Sequence, residues 1–215
     1  MRCRLVIDSS LVDWSEDLSE DNRAGVVESQ CEARDVMSSI LNLGYHLALS
    51  RELHEEIVSQ LYDPDNPKHG SREWPRKWMQ IMDERRQIDD DLDVSKDNSL
   101  EGSLMCDDMA KDAHLIESAL SSDGRVISRD ENILACWIGH CRRNPPSAII
   151  AAHPKTSSIV WADPQVHHRA DIVWWLEAGA DRIDAWKLDR QEELEHHCGG
   201  YQTDKCVLDK GKAGR

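Results

Sequence analysis

Asp8, Glu56, Asp112 and Asp130 lie far apart in the chain, yet each falls where a strand would end or a helix would begin. Asp8 closes the apolar run Leu5-Val6-Ile7, and Asp130 follows Arg125-Val126-Ile127-Ser128-Arg129. Asp112 opens the segment Ala113 to Leu120, and Glu56 lies on the helix expected after Tyr45-His46-Leu47-Ala48-Leu49. Ligands of an open parallel sheet gather beyond the carboxyl ends of its strands, so a fold of that kind can bring these acids together. Four packed carboxylates raise one another's pKa unless a cation neutralises them. Oxygen donors suit Mg2+ or Mn2+, and such an ion lowers the pKa of bound water and orients it for attack on phosphorus. The chemistry this implies is phosphodiester hydrolysis, with Ser10 holding the Asp8 carboxylate. Taken singly, each acid also has a plainer use: Asp8 and Asp130 suit helix N-caps, and Asp112 suits the positive end of a helix dipole.

The elements that would position these residues follow from apolar spacing. A strand is expected over Arg4 to Ile7, then a helix from about Gln30 to Leu41 with Val36, Ile40 and Leu41 on one stripe and Gly44 as its stop. A second strand, near His46 to Leu49, leads through Ser50 as N-cap into a helix over Arg51 to Leu61, where Leu53, Ile57 and Leu61 recur every fourth residue. Asp63 to Gly70 is rich in turn residues and precedes a helix from about Ser71 to Gln87, which tolerates Pro75 only in its first turn. A polar linker over Asp89 to Gly102 leads to the helix opened by Asp112. Further strands are expected at Arg125 to Ser128 and Ser158 to Trp161, with a helix over Glu131 to Cys141 between them. Residues Arg142 to Pro154 read as a connection and Val173 to Ala180 as a short helix. Alternating strands and helices predict an α/β domain with a mainly parallel sheet of about four to five strands flanked by helices. The domain is expected over residues 1–165 with a helical insert at about 63–102, a C-terminal helical extension over 166–190 and a mobile polar tail over 191–215.

The 215 residues include eight Trp, three Tyr and no Phe, enough apolar bulk for one core, while the formal charge of −15 argues against nucleic-acid binding by bulk attraction. A local basic stretch stands out: Lys68, Arg72, Arg76, Lys77, Arg85 and Arg86 face only Glu73, Asp83 and Glu84. Trp74 and Trp78 on that helix could stack on bases, though their spacing fits a core-facing stripe better. Seven Cys at irregular spacing without a CxxC pair read as reduced thiols, and His196-His197-Cys198 with Cys206 as a solvated tail rather than a zinc site. No apolar run approaches the roughly 20 residues of a membrane span, and the chain enters its first strand without a signal peptide, which points to the cytoplasm.

Lys111-Asp112-Ala113-His114-Leu115-Ile116-Glu117-Ser118-Ala119-Leu120 followed by Asp123-Gly124-Arg125-Val126-Ile127-Ser128-Arg129-Asp130 resembles the second half of a PIN-domain nuclease of the bacterial stand-alone type. Leu5-Val6-Ile7-Asp8-Ser9-Ser10 and Leu49-Ser50-Arg51-Glu52-Leu53-His54-Glu55-Glu56-Ile57 resemble the first half, in the right order. The resemblance spans roughly residues 4 to 140 and lies in the order of short motifs rather than in any one of them. It implies a three-layer PIN-like fold and a metal-dependent endoribonuclease. Asp8, Glu56, Asp112 and Asp130 would hold Mg2+ or Mn2+, with Ser10 in support and Glu52 or Glu55 as substitutes for Glu56. Single-stranded or structured RNA would be the substrate; local charge offers Arg72, Arg76 and Lys77 as its contacts, and Arg129 could contact it or pair with a carboxylate. The resemblance further implies a toxin-antitoxin setting, with an antitoxin or other protein regulator, and a homodimer. The chain departs from the family at Ser128, where many relatives have Thr, and in the long insert from Asp63 to Gly102.

Two other readings stand beside this one. A PIN-like fold could serve as a regulatory or protein-interaction module with an acidic surface. A haloacid-dehalogenase-type phosphatase would use Asp8 as nucleophile, but it usually carries a second Asp where this chain has Ser10.

Overall fold

Strands β1 (Arg4–Ile7), β2 (His46–Ala48), β3 (Ile88–Asp89), β4 (Arg125–Ile127) and β5 (Val160–Ala162) form one sheet in the order β3-β2-β1-β4-β5, with every neighbouring pair parallel. This computed structural model describes residues 3–15, 24–62, 72–95, 98–100, 110, 112–141, 148–181 and 183–191. Leu5, Val6 and Ile7 are fully buried, as a central parallel strand covered on both faces requires. Around the sheet lie α1 (Ser9–Asp13), α2 (Ala24–Leu43), α3 (Arg51–Tyr62), α4 (Glu73–Glu84), α5 (Ala113–Leu120), α6 (Glu131–Cys141), α7 (Ala148–Ala152) and α8 (Arg169–Glu177). The result is a three-layer α/β fold.

The chain runs outward on one side of β1 through β2 and β3, then crosses back to place β4 on the other side. Strand order therefore reverses between β1 and β4, and a crevice opens beyond the carboxyl ends of strands at such a point. The register sets Ile7 beside Ile127, so the residues that follow, Asp8 and Ser128, leave the sheet together. Asp8 N donates to the Ile127 carbonyl at 3.0 Å, extending the ladder by one bond.

Several elements differ from the sequence expectation, each for a local reason. β3 lies where a polar linker was expected; Leu47 N donates to the Gln87 carbonyl at 2.7 Å and Leu49 N to that of Asp89 at 2.8 Å, so backbone bonds make this edge strand without an apolar pattern. The expected connection over Arg142 to Pro154 contains α7, and a 3-10 turn follows over Pro154–Ser158. α2 starts at Ala24 rather than near Gln30. α8 starts at Arg169 because His168 caps it, accepting from Ala170 N, and it stops before Gly179, whose φ of 99° favours glycine. β5 is shifted to Val160–Ala162.

Trp137, Trp161 and Trp175 are fully buried, whereas Trp174, on the other side of α8, is 62% exposed. α8 packs along α2, which ties the C-terminal extension to the domain. Cys3, Cys31, Cys136 and Cys141 are free thiols. Cys106, the tail cluster from His196 to Cys206, and the expected mobile tail beyond residue 191 lie outside the described residues. Among the described residues no helix is long and apolar enough to cross a membrane.

Candidate active site

Asp8 leaves β1 at the point where the strand order reverses, and it is only 4% exposed. Its Oδ2 accepts from Ser10 Oγ at 2.5 Å and from Ser128 Oγ at 2.6 Å, while its Oδ1 accepts from Ser10 N and Ser9 Oγ, both at 3.3 Å. Burial pushes the Asp8 carboxyl above its ordinary pKa; the Ser10 and Ser128 hydroxyls and Ser10 N pull it back, and nearby Glu56 adds to the rise. A carboxylate gathered by hydroxyls and crowded by a second acid is one that a cation would stabilise.

Ser9 carries the link to α3, since its Oγ donates to Glu56 Oε1 at 2.7 Å and accepts from Gln60 Nε2 at 3.1 Å. Glu56 is thus the acid of its helix that reaches Asp8. Glu52 and Glu55 are exposed, and Glu55 pairs with Arg51 at 2.8 Å. At the start of the opposite helix, His114 Nε2 lies 3.2 Å from Glu56 Oε2, an ion pair outside hydrogen-bond alignment. Burial alone would lower the His114 pKa, but Glu56, Asp112 and Asp8 together outweigh it and raise it. Three of the four expected acids therefore share one electrostatic neighbourhood around His114. Asp112 begins α5, is buried, and makes no capping bond with its side chain.

Asp130 joins the group more loosely. Ser128 Oγ, which donates to Asp8, accepts from Asp130 N at 3.0 Å, so Ser128 ties the two acids through one hydroxyl. The Asp130 carboxylate turns to α6, where its Oδ1 accepts from Ile133 N at 2.9 Å as an N-cap. Among the described residues no three carboxylate, imidazole or thiolate groups form a metal cage. Mg2+ is commonly held by only one or two carboxylates with water and a substrate phosphate, and the pair Asp8 and Glu56, joined through Ser9, fits that mode.

The expected substrate contacts separate. Arg72 is buried and reaches Asp13 of α1 at 3.4 Å, so its charge is used inside the fold. Arg76 donates to the Leu61 carbonyl at 2.7 Å and lies over the Tyr62 ring, while Lys77 is exposed. Trp78 is buried with its indole N–H on the Met37 carbonyl at 2.8 Å, and Trp74 lies beneath Arg34, so the core-facing reading of that stripe holds for Trp78. Arg129 is buried near the site, its backbone N donating to Ser10 Oγ at 3.1 Å. Lys68 lies outside the described residues.

Sequence reasoning missed Ser9, Ser128 as a hydrogen-bond partner of Asp8, and above all Asp163. That residue follows β5 as Asp8 follows β1, and it is fully buried. Burial pushes its carboxyl up to about 7, with Gln165 N and Arg129 pulling it down and Glu131 and Asp130 pushing it up. The signal was present: Ile159-Val160-Trp161-Ala162-Asp163 repeats the pattern of an apolar run closed by Asp. No protein family, curated protein or solved structure compared with this chain matches it, so its site is read from its own geometry.

Proposed function

We propose that the protein is a metal-dependent endoribonuclease of PIN-like type that hydrolyses phosphodiester bonds. The observation that carries this reading is the placement of Asp8 at the β1/β4 reversal, joined to Glu56 through Ser9 and to the Asp130 backbone through Ser128. Mg2+ or Mn2+, when bound, would lower the pKa of a water molecule and offset charge on the scissile phosphate.

The chain's own groups have separate tasks in this reading. Asp8 and Glu56 would hold the cation, with Asp112 adding negative charge around His114. Ser10 and Ser128 keep both Asp8 oxygens in fixed directions, and Ser9 fixes Glu56 against them. Preorganised ligands of this kind need no rearrangement as charge develops. Asp130 sets the start of α6 and adds negative potential at the rim. Lys77, on an exposed helix face, meets the RNA backbone, which offsets the overall negative charge of the chain.

The test is cleavage of mixed single-stranded RNA and DNA by the purified full-length chain with Mg2+, Mn2+ or EDTA. The expected result is RNA cleavage that disappears with EDTA and returns with either ion. Cleavage that survives both chelation and the combined change Asp8→Asn plus Asp112→Asn would sink the proposal.

A further inference from the structure

Glu56 and Gln60 stand one turn apart on α3, and both meet Ser9 of α1, the short helix packed against them. Ser9 is buried, and three side chains converge on its hydroxyl. Gln60 Nε2 donates to the Ser9 oxygen at 3.1 Å, while that hydroxyl faces Glu56 Oε1 at 2.7 Å and Asp8 Oδ1 at 3.3 Å. A hydroxyl has one hydrogen to give and two lone pairs with which to accept. Ionised carboxylates only accept, so neither Asp8 nor Glu56 can satisfy those lone pairs. Gln60 is the side chain of the three that can.

The other end of the Gln60 amide shows how firmly this direction is set. Its Oε1 is enclosed and has no partner among the described residues. Turning the amide over would bring that oxygen to Ser9 and draw the hydroxyl hydrogen towards residue 60. Both carboxylates would then face an oxygen presenting only lone pairs. The network therefore assigns the donating orientation, even though an enclosed carbonyl oxygen without a donor costs stability. With Gln60 donating from one side, the single Ser9 hydrogen goes to the nearer acid, Glu56. The bonds run one way, from Gln60 through Ser9 to the carboxylate that lies beside Asp8.

We propose that Gln60 is a positioning residue of the carboxylate site: its amide fixes the direction of the Ser9 hydroxyl and, through it, the Glu56 oxygens offered to Mg2+ or Mn2+. The inference deepens the ribonuclease reading and rests on it for the cation. Partners that orient a metal ligand from behind change metal affinity by about 10–100-fold when removed.

The experiment is a double-variant cycle on Mn2+ binding to the full chain, read by electron paramagnetic resonance of the free ion. It compares the native chain, Ser9→Ala, Gln60→Met and the two changes combined. Methionine keeps the unbranched length of glutamine and removes the donor. Each single change is expected to weaken Mn2+ binding about tenfold, and the combined change no more than Ser9→Ala alone, because Gln60 acts through that hydroxyl. In EDTA, Gln60→Met should melt close to the native chain, since the bond it loses is offset by an enclosed oxygen it no longer carries. Native Mn2+ affinity in Gln60→Met overturns the proposal. Equal losses with and without the Ser9 hydroxyl overturn it too, because they would assign the effect of Gln60 to packing. Should Gln60→Met unfold, Gln60→Ala takes its place in the same cycle. RNA cleavage by the same four proteins with Mn2+ separates the two readings. Coupled losses of Mn2+ binding in a native chain that never cleaves keep the positioning role and remove the nuclease. Cleavage by the native chain with additive losses of binding removes the positioning role and leaves the nuclease standing. A native chain that binds no Mn2+ overturns both.

Discussion

Asp8 and Asp163 hold the same kind of position, the first residue beyond a parallel strand, and both are buried, yet their surroundings differ sharply. Both oxygens of Asp8 accept hydrogen bonds from a ring of serines supplied by α1 and by the end of β4. Asp163 Oδ1 accepts from Gln165 N at 2.8 Å, whereas Oδ2 has no partner among the described residues. Arg129 lies between the two sites in the chain and is itself incompletely satisfied. A strand end in a parallel sheet thus supplies a buried acid wherever the sequence provides one. Burial pushes both acids toward the neutral form, but only around Asp8 do serine hydroxyls oppose that push.

The comparison breaks most visibly through the first site. Asp8→Asn together with Asp112→Asn should reduce metal-dependent cleavage by roughly three orders of magnitude or more, because groups acting as a unit fail together. Circular dichroism and thermal melting should show an intact fold. Retained cleavage would move the chemistry away from the β1/β4 reversal.

The second site is best probed by pH. The folded carboxyl of Asp163 is raised to about 7 from 3.8, so the unfolded chain ionises first as pH rises. The stability advantage of the protonated fold is full below about pH 4 and lost through about pH 7. Asp163→Asn removes that dependence, and at pH 8 it should be more stable than the native chain by up to about 4 kcal/mol, with the two converging near pH 4. Urea melts at the two pH values read this directly. A gap independent of pH would mean that burial does not hold this acid neutral.

Ser128→Ala should have a smaller effect, about 1–3 kcal/mol of stability, since it removes a bond to Asp8 and leaves Asp130 N without its acceptor. The loss should shrink at low pH, where Asp8 is neutral in both proteins. A cost that stays the same at pH 4 and pH 8 would divorce the hydroxyl from the charge of Asp8. The smallest effect belongs to Lys77→Ala, outside both sites, which should lower the salt slope of RNA binding by about 0.7, the share of one single-strand phosphate contact. An unchanged slope would take Lys77 off the RNA path.

The fold was largely legible because it rests on buried apolar strands and amphipathic helices. Leu5-Val6-Ile7 and the stripe Leu53, Ile57, Leu61 stand out in the chain and are buried in the structure. β3 escaped notice because a two-residue edge strand made by backbone bonds leaves no pattern in side chains. The site was legible as a set of acids, and Glu56 could be separated from Glu52 and Glu55 only once the helix had a rotation. Ser9 and Ser128 act by direction rather than by type, which a sequence does not record. Asp163 was visible in principle, as the acid that closes the apolar run Ile159 to Ala162.

The reversal of strand order also governs when the protein can work. β1 is synthesised first but sits in the middle of the sheet, and Asp8 and Ser128 are 120 positions apart. Contacts of that sequence separation form late, and a ribosome adding about 5–20 residues per second leaves β1 without β4 for several seconds. A nascent chain of this topology carries Asp8 and Glu56 without the strand that completes their surroundings. The proposed nuclease therefore has no finished site until the codons for β4 have been translated.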